Sequence, residues 1–361
     1  MHQLSIQPNW TIRRADGNVL PPRLLALLLR VHERGSLAAA CQDLGLSYRH
    51  AWDMVRQGDA LFGAPLLTMA RGKGSRLSPL GERLIWAERR IHARLAPMLD
   101  TLASELETEL RSVSSGAASP LRIHASHGFA IEQLIDALQR ADVALERKYV
   151  GTQEALAALR DGQCELAGFH IPLGRYEREV LDAYAGWLDA REHRVILLAK
   201  RRQGLMVAPG NPRKIYGLAD LLRPDVRFIN RQRGAGTRLL LECMLRDEKL
   251  DASRIQGFEH GEFTHAAVAA FVASGMADVG IGVETPARQF GLDFLPLAAE
   301  RYFLLCRSDA LDAPALRKLL QRLADPELRA RLDALPGYST AEDPRPQTLR
   351  QAFGALPRRR R

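Results

Sequence analysis

The apolar positions near the start of the chain follow a helical period that glycine interrupts. In "GSLAAACQDLGLSYRHAWDMV", Ser36 opens a first helical segment, and Gly45 permits a tight turn after it. Ser47 is a good N-cap for the next segment, in which Ala51 and Val55 lie four residues apart on one face. The pattern predicts a helix-turn-helix, and the glycine-rich "RGKGSRLSPLGERLI" after it predicts a β-wing.

A longer helical pattern runs from Leu80 to Leu110. Its apolar residues recur at steps of three and four, which predicts one apolar face that pairs with a second chain. These residues are Leu84, Ile91, Leu95, Met98, Leu102 and Leu106. The small-residue stretch "SVSSGAASP" then marks a domain boundary. We assign residues 1–79 to a DNA-binding head, 80–111 to a dimerisation helix and 112–120 to a flexible linker.

Beyond this linker, short apolar runs alternate with helical stretches. The runs "LRIHAS", "RVILLA" and "VRFIN" are typical of strands, whereas "AIEQLIDALQRA" and "TRLLLECMLRDE" have a helical period. This alternation predicts an α/β domain over residues 121–340 with a largely parallel sheet. We expect residues 341–361 to form a basic C-terminal tail whose last residues, "PRRRR", are disordered and solvated. The predicted fold class is multidomain: an all-α winged helix-turn-helix head and a long helix, followed by an α/β domain.

Charge adds a class of partner to this picture. The chain carries a formal net charge of +9, and residues 1–98 alone hold 14 Arg or Lys against 7 Asp or Glu. Such an excess favours partners that carry phosphate, nucleic acid or a membrane surface. No apolar run is long enough for a transmembrane helix, and the four scattered cysteines suggest reduced, buried thiols. We therefore expect a cytoplasmic protein.

The predicted second helix presents rings and charges at its start. Ala51 and Val55 fill the core, which leaves the rings and charges of "YRH" and Trp52 outward at the end where recognition helices meet base edges. Trp52 has an alternative role, bracing the two helices, and the basic loop could be only a solvated hairpin. The predicted DNA-contacting residues are Ser36, Ser47, Tyr48, Arg49, His50, Trp52, Arg56, Arg71 and Lys73.

A second constellation, "FINRQRGAGTRLLL", predicts a strand, a loop and a helix that starts near Gly236 or Thr237. Free backbone N–H groups at a helix start favour an anion, and Arg231 and Arg233 supply positive charge. The alternative is an ordinary tight turn with surface arginines. Other predicted strands also end in hydroxyl or histidine side chains, at the edge where open α/β sheets bind ligands. The predicted effector site comprises Ser126, His127, Thr152, His170, Asn230, Arg231, Arg233, Gly234, Gly236, Thr237, Thr264 and His265.

Each of these histidines alone is more often a packed or hydrogen-bonded residue than a ligand contact. The sequence holds no serine–histidine–acid order with a nucleophile elbow and no metal-ligand spacing. We therefore predict no catalytic residues, no metal site and no enzyme activity. A small anion is the only cofactor-like molecule that we expect.

The head resembles two families of bacterial regulators. "GSLAAACQDLGLS" is similar to the helix-turn-helix opening of LysR-type regulators, and "SYRHAWDMV" with "RGKGSRLSPLGERLI" is similar to the winged helix of ModE-type regulators. The resemblance implies a winged helix that dimerises through the following long helix, and LysR-type relatives often form tetramers. It also implies that Ser47, the residues of "YRH" and Trp52 enter the major groove of duplex DNA, with Arg71 and Lys73 on the wing.

The second half resembles the type 2 periplasmic-binding-protein fold, which has two α/β lobes around a cleft. "NRQRGAGTR" is similar to the anion-binding loop of tungstate-binding proteins, and Arg231, Gly236 and Thr237 match that pattern. Ala235 and Arg233 depart from it and leave the anion open between molybdate, tungstate and a small carboxylate such as formate. The resemblance implies a ligand-responsive transcriptional regulator. The alternative is a DNA-binding protein whose second domain serves assembly only.

Overall fold

A computed structural model describes residues 4–70, 74–113, 119–340 and 342–354. The chain divides into two compact units, Gln7–His92 on the one hand and Met1–Ile6 with Ala93–Arg361 on the other. Within the described ranges, no helix combines the length and the apolarity needed to cross a membrane. All four cysteines are buried and free, as the sequence suggested.

The first unit is built from three helices and a two-stranded hairpin. Left-handed glycines end the first two helices: Gly35 has φ 64° and Gly45 has φ 61°. Apolar side chains from all three helices form one core with the hairpin. The predicted winged helix-turn-helix is confirmed. Its elements are α1 (Leu24–Arg34), α2 (Leu37–Leu44), α3 (Tyr48–Phe62), β1 (Leu67–Ala70) and β2 (Gly74–Leu77), with β1 and β2 antiparallel.

The predicted long helix is α4 (Pro79–Val113), which contains Pro97. It continues through Ser112 and Val113, which the sequence analysis placed in the linker. No helix breaker stands there, because the first glycine of that stretch is residue 116. Residues 114–118 lie outside the described residues.

One large mixed sheet organises the second unit. Its strands are β3 (Leu121–Ala125), β4 (Leu145–Tyr149), β5 (Leu166–Pro172), β6 (His193–Val207), β7 (Phe228–Arg231), β8 (Gly261–Glu262), β9 (Val279–Val283), β10 (Asp293–Arg307), β11 (Tyr338–Ser339) and β12 (Gln347–Thr348). The strand order is β4-β3-β5-β10-β6-β9-β7-β8, and β11 and β12 also pair with β6. The helices are α5 (Phe129–Arg140), α6 (Thr152–Arg160), α7 (Glu177–Tyr184), α8 (Gly236–Asp247), α9 (His265–Ala273), α10 (Glu284–Gln289), α11 (Pro314–Ala324), α12 (Pro326–Asp333) and α13 (Leu349–Phe353).

The expectation of a largely parallel sheet was wrong at the centre. The flanking pairs β3–β4, β3–β5, β7–β8 and β7–β9 are parallel. The two 15-residue strands β6 and β10, however, run antiparallel to each other and to their neighbours β9 and β5. The two long strands link the two halves of the sheet, one with β3, β4 and β5 and the other with β7, β8 and β9. Strand β10 pairs with β5 through residues 300–305, and β6 pairs with β9 through residues 203–207.

The assignment of all residues from 341 onward to a basic tail was also wrong in part. Strand β12 and helix α13 lie inside that range, and Leu349 is fully buried. The ring of Phe353 packs 5.1 Å from that of Phe303. The apolar residues at positions 349 and 353 therefore join the core, and the terminal "PRRRR" lies outside the described residues.

Candidate functional site

The start of α3 exposes the side chains that the sequence assigned to DNA contact. Ser47 Oγ accepts a hydrogen bond from the His50 backbone N–H at 3.2 Å and so caps the helix. Tyr48 is 47% exposed, and Arg49 and His50 are exposed beside it. In the same way, Ser36 caps α2 by accepting from the Ala39 N–H. The first turn of α3 is therefore a fixed frame for three outward polar side chains.

The other predicted DNA contacts divide into three cases. Trp52 is half-buried, packs against the core of the head and lies edge-on to Tyr48 at 6.3 Å, which favours the bracing role. Arg56 is exposed and pairs with Asp53 one turn earlier. Arg71 and Lys73 lie outside the described residues, so their placement on the wing stays a prediction.

The apolar face predicted for the long helix is exposed over its second half. Met98, Leu102 and Leu106 are 61%, 47% and 39% exposed, whereas Ile91 and Leu95 are half-buried. Leu84 is buried in the core of the head and is not part of this face, because the first turns of α4 pack on the head. An exposed row of large apolar side chains on one helix face is typical of a helix that pairs with another.

A buried polar cluster lies where β6 and β10 pass between the two halves of the sheet. Arg201 Nε donates to Glu300 Oε1 at 2.5 Å. Gln203 Nε2 donates both to the same oxygen, at 2.9 Å, and to Thr237 Oγ1 at the start of α8, at 2.8 Å. The His170 ring packs on the Tyr302 ring, with centroids 4.0 Å apart. We call this group of residues, together with Arg231 and His265, the central cluster.

The backbone of Gly236, at the start of α8, lies close to side chains from other elements around this cluster. A Cβ added to Gly236 would lie 3.3 Å from Tyr184 Oη, 3.6 Å from Thr152 Oγ1 and 3.9 Å from His170 Cβ. The start of α8 therefore faces the start of α6 and strand β5, and any larger residue at 236 would press on their polar side chains. This places Thr152, His170, Gly236 and Thr237 in one region, as the sequence analysis expected.

Arg231 is a buried cation whose guanidinium bonds only backbone. It is 3% exposed, and it donates from Nη2 to the Phe263 carbonyl at 2.7 Å and from Nε to the Glu262 carbonyl at 3.2 Å. Burial, and then the nearby Arg201, lower the pKa of Arg231 to about 9. The side chain is thus still protonated at neutral pH. Among the described residues no carboxylate is hydrogen-bonded to it, and Glu300 and Glu262 only partly offset the effect of burial on its pKa.

The two deeply buried histidines of the cluster are neutral. Burial, followed by the charges of Arg201 and Arg231, holds the pKa of His170 well below its usual value. Burial and the same two arginines do so for His265. Within the described part of the chain, His170 Nε2, His265 Nδ1, Gln203 Oε1 and the Tyr302 hydroxyl are buried without a hydrogen-bond partner. Buried polar atoms of this kind are normally satisfied, so they mark a place where a ligand or water completes the bonding.

Several predicted effector residues already have hydrogen-bond or ion-pair partners within the protein. The Asn230 side chain is hydrogen-bonded to backbone groups: it donates to the Phe258 carbonyl and accepts from the Arg231 N–H. Thr264 caps α9 and donates to the Ala93 carbonyl. His127 pairs with Glu132 at 2.6 Å beside the cluster. These three residues therefore support the cluster and are not among its unpaired groups.

Three further predicted effector residues are Arg233 and Gly234, in the glycine-rich loop, and Ser126. Arg233 points out of the cluster: its side chain is 81% exposed and pairs with Glu259. Gly234 is exposed, with φ +81°, and its carbonyl is 3.4 Å from the position of a Cβ on Gly151. Ser126 is half-buried, and its carbonyl, like Arg201 Nη1, lies within 4.0 Å of a Cβ on Gly128.

A separate pocket of about 380 Å³ opens beside Arg233. Gln153, Arg238 and Glu259 line it, and Tyr184 contributes to its wall. Its arginines are already paired, because Arg238 contacts both Glu242 and Glu259. This pocket is the rival to the central cluster as a ligand site.

The sequence analysis missed the residues that the long strands contribute. Arg201, Gln203, Glu300 and Tyr302 all lie on β6 or β10. The available signal was charge inside apolar runs: "KRRQ" interrupts β6, and a lone glutamate stands in "PLAAERYFLL". A charged residue rarely lies inside a buried strand without a partner, so the two interruptions could have been matched to each other.

The short segment that accepts hydrogen bonds from the Arg231 guanidinium also binds residues of α4. Arg94 donates to both carboxylate oxygens of Glu262, at 2.6–3.0 Å, and its guanidinium lies 5.3 Å from the Phe271 ring. Thr264 binds the Ala93 carbonyl at 3.0 Å. The carbonyls of residues 262 and 263 therefore contact the buried cation, and the side chains of residues 262 and 264 contact the helix.

Comparison with known proteins identifies both units. A family model described as "Bacterial regulatory helix-turn-helix protein, lysR family" matches residues 22–82. A second, "PBP superfamily domain", matches residues 135–324, more than half of the chain.

Two relatives and one solved structure illustrate the likeness. "Uncharacterized protein YvgK" of Bacillus subtilis (strain 168) is 32% identical over 199 residues, 54% of this chain and 62% of that protein. "Molybdenum-pterin-binding protein MopB" of Rhodobacter capsulatus is 30% identical over 172 residues, 41% of this chain and 63% of that protein. The chain thus spans about three fifths of the length of both relatives. The full-length LTTR LysG from Corynebacterium glutamicum is similar over 85% of this chain and 97% of its own, with 16% identity and a TM-score of 0.41.

Proposed function

The chain belongs to the PBP superfamily and carries a helix-turn-helix domain of the lysR family, and from this premise we propose that it is a ligand-responsive transcriptional regulator. The head binds a duplex DNA operator through the first turn of α3. The second unit binds a small anion as effector. The exposed apolar face of α4 joins two chains into a homodimer.

One observation carries the proposed ligand class: Arg231 is a buried, protonated side chain with only backbone carbonyls as partners. Burying a charge without a hydrogen-bonded counter-charge is costly, and a bound anion would reduce that cost. The unpaired histidine, glutamine and tyrosine atoms around it supply further hydrogen bonds for oxygen atoms. Charge-assisted bonds of this kind are stronger than neutral ones.

Two classes of anion fit this donor set. One is a molybdate- or tungstate-type oxyanion, which the name of the relative MopB supports. The other is a small carboxylate such as formate. A second domain that serves assembly only would have no use for a buried cation that bonds no carboxylate among the described residues and lies beside several unpaired polar atoms. This favours an effector over that alternative.

Calorimetric titration of the full chain with formate, nitrate, molybdate and tungstate tests the proposal. Substitution Arg231→Met should weaken binding by about 2–5 kcal/mol, the usual cost of removing one side of a buried charge pair, which is tens- to thousands-fold in affinity. Arg233→Met is the matched control, since it removes an exposed arginine two residues away.

The two variants also decide between the sites. Loss of binding in Arg233→Met with unchanged binding in Arg231→Met would move the site to the surface pocket beside Arg233. If none of the anions binds the unmodified protein, the effector proposal fails and the assembly-only alternative stands.

A further inference from the structure

The proline of α4 leaves one helix carbonyl free for a contact outside the helix. Pro97 has no backbone N–H, so it cannot bond the Ala93 carbonyl four residues earlier, as another residue in an α-helix would. The Thr264 hydroxyl, at the N-cap of α9, donates to that carbonyl at 3.0 Å. Beside it, Arg94 pairs with Glu262. Just before Pro97, α4 is therefore bound to the segment at the end of β8.

Just after Pro97, the same helix is bound to the opposite edge of the sheet. The Thr101 hydroxyl accepts a hydrogen bond from the Tyr149 N–H at 3.1 Å and donates to the Pro97 carbonyl at 2.9 Å. The buried Ser104 hydroxyl, one turn later, accepts from the Arg147 N–H at 2.8 Å. Both N–H groups belong to β4, and β4 and β8 stand at opposite ends of the strand order. The hydroxyls of α4 thus satisfy backbone donors that an edge strand would otherwise expose.

Both attachments lie close in sequence to the central cluster. Thr264 immediately precedes His265, which starts α9 in the half of the sheet with β8. Tyr149 stands three residues before Thr152, which starts α6 in the half with β4 and lies beside the cluster. An anion that bonds groups from both halves therefore acts on two segments that also bind α4.

We propose that Pro97 is a joint in α4 at which binding of the effector bends the helix. The inference rests on the proposed anion-binding function and adds the route by which the anion acts on the helix. The attachments at Ala93 and Thr101 are eight residues apart, or about 12 Å along the helix. A helix cannot follow a change in the spacing of the two sheet edges by stretching, because its hydrogen bonds fix its length. It bends at the turn where one of those bonds is already missing.

Distances between spin labels test this joint. Labels at the exposed positions Arg83 and Asp161 connect the helix before Pro97 with the half of the sheet that contains β4. Arg83 is 14 residues before Pro97, about 21 Å along the helix, so a change in bend of about 20° moves it by about 7 Å. Labels at Glu109 and Asp161 are the matched control, because both lie on the same side of the joint. The native cysteines are buried, and dilution with unlabelled chains restricts the measurement to distances within one chain.

The probes are formate, nitrate, molybdate and tungstate, each at a concentration that saturates binding in calorimetry. An anion that binds should shift the distance between Arg83 and Asp161 by several ångströms and leave the control distance unchanged. Pro97→Ala supplies the missing N–H to the Ala93 carbonyl and so stiffens the helix. This variant should still bind the anion but lose most of the shift.

The outcomes separate this inference from the proposed function. If an anion binds but the distance across Pro97 stays the same, or if Pro97→Ala shows the full shift, the joint is overturned and the anion-binding function stands. Absence of binding by all four anions overturns both. If Pro97→Ala does not fold, Thr101→Val takes its place: it removes the hydroxyl bonded to Tyr149 and should lose the shift, because β4 no longer holds the helix there.

Discussion

The charge of Arg231, which is buried and bonds no carboxylate among the described residues, makes an unusual prediction about stability. Replacing a large buried side chain normally costs several kcal/mol. Here, lowering the pKa of the guanidinium to about 9 makes its charged form about 5 kcal/mol less favourable than in water. Arg231→Met removes that cost together with two hydrogen bonds to carbonyl groups, each worth about 1.5–3 kcal/mol. The two effects nearly cancel, so without anion the variant should unfold within about 2 kcal/mol of the parent protein.

Glu300 provides the contrast within the same cluster. Among the residues that the structure describes, its carboxylate is the only acid that pairs with Arg201, and both side chains are almost fully buried. Glu300→Gln leaves that guanidinium without a counter-charge, and breaking a buried pair from one side costs about 3–5 kcal/mol. Two substitutions of similar size, both in the central cluster, should therefore have clearly different effects on the free energy of unfolding.

Denaturant unfolding with and without anion measures both effects. An anion at a hundred times its dissociation constant should stabilise the parent protein by about 2.7 kcal/mol and leave Arg231→Met unchanged. Arg233→Met should behave like the parent in both conditions. A loss of more than about 4 kcal/mol in anion-free Arg231→Met would refute the reasoning, since it would mean that the guanidinium is already compensated in the empty site.

Four further predictions follow from other parts of the chain. Arg49→Ala should relax sequence preference and cost about 1–3 kcal/mol of DNA binding in gel-shift titrations, as expected for a lost base contact; unchanged binding would remove α3 from the interface. Leu102→Asp should convert a dimer into monomers in light scattering, because it places a charge on the exposed apolar face; a monomeric parent protein would end this idea. Because burial lowers the pKa of His170 and His265, the unfolded chain binds more protons below about pH 6.5. Stability should therefore fall from pH 7 to pH 5, by up to about 1.4 kcal/mol per pH unit for each histidine, and a flat profile in urea unfolding would contradict it. Arg94→Met should leave the anion bound in calorimetry but reduce the effect of the anion on DNA affinity, and an unchanged effect would exclude this contact from the coupling.

Local signals in the sequence were sufficient for the head. Gly35 and Gly45 end helices because they adopt positive φ at low cost, and the serines after them cap the next helices. These effects act over a few residues and leave a direct trace in the sequence. The same holds for Thr237 and Gly236, whose loop and helix start were predicted from a strand, glycines and a hydroxyl.

Long-range pairing explains what the sequence did not reveal. The antiparallel contact of β6 with β10 joins residues about a hundred positions apart, and no local period marks it. The orientation of neighbouring arginines also depends on where a strand stops: Arg231 is the last residue of β7 and is buried, whereas Arg233 follows the strand and is exposed. Both arginines have the same chemistry, so only the end of the strand distinguishes them.

The placement of Arg231 connects the proposed anion site to the long helix through one short segment. Its guanidinium binds the carbonyls of residues 262 and 263, while the side chains of residues 262 and 264 bind Arg94 and Ala93. We expect a bound anion to draw the guanidinium toward itself and to weaken its bonds to these carbonyls, which would change how the segment contacts the helix. Coupling of this kind is reciprocal: the factor by which an anion alters the docking of the helix is the factor by which undocking the helix alters the affinity for the anion. Because the segment is short, two substitutions test this reciprocity: Arg94→Met on the side of the helix and Arg231→Met on the side of the proposed anion site.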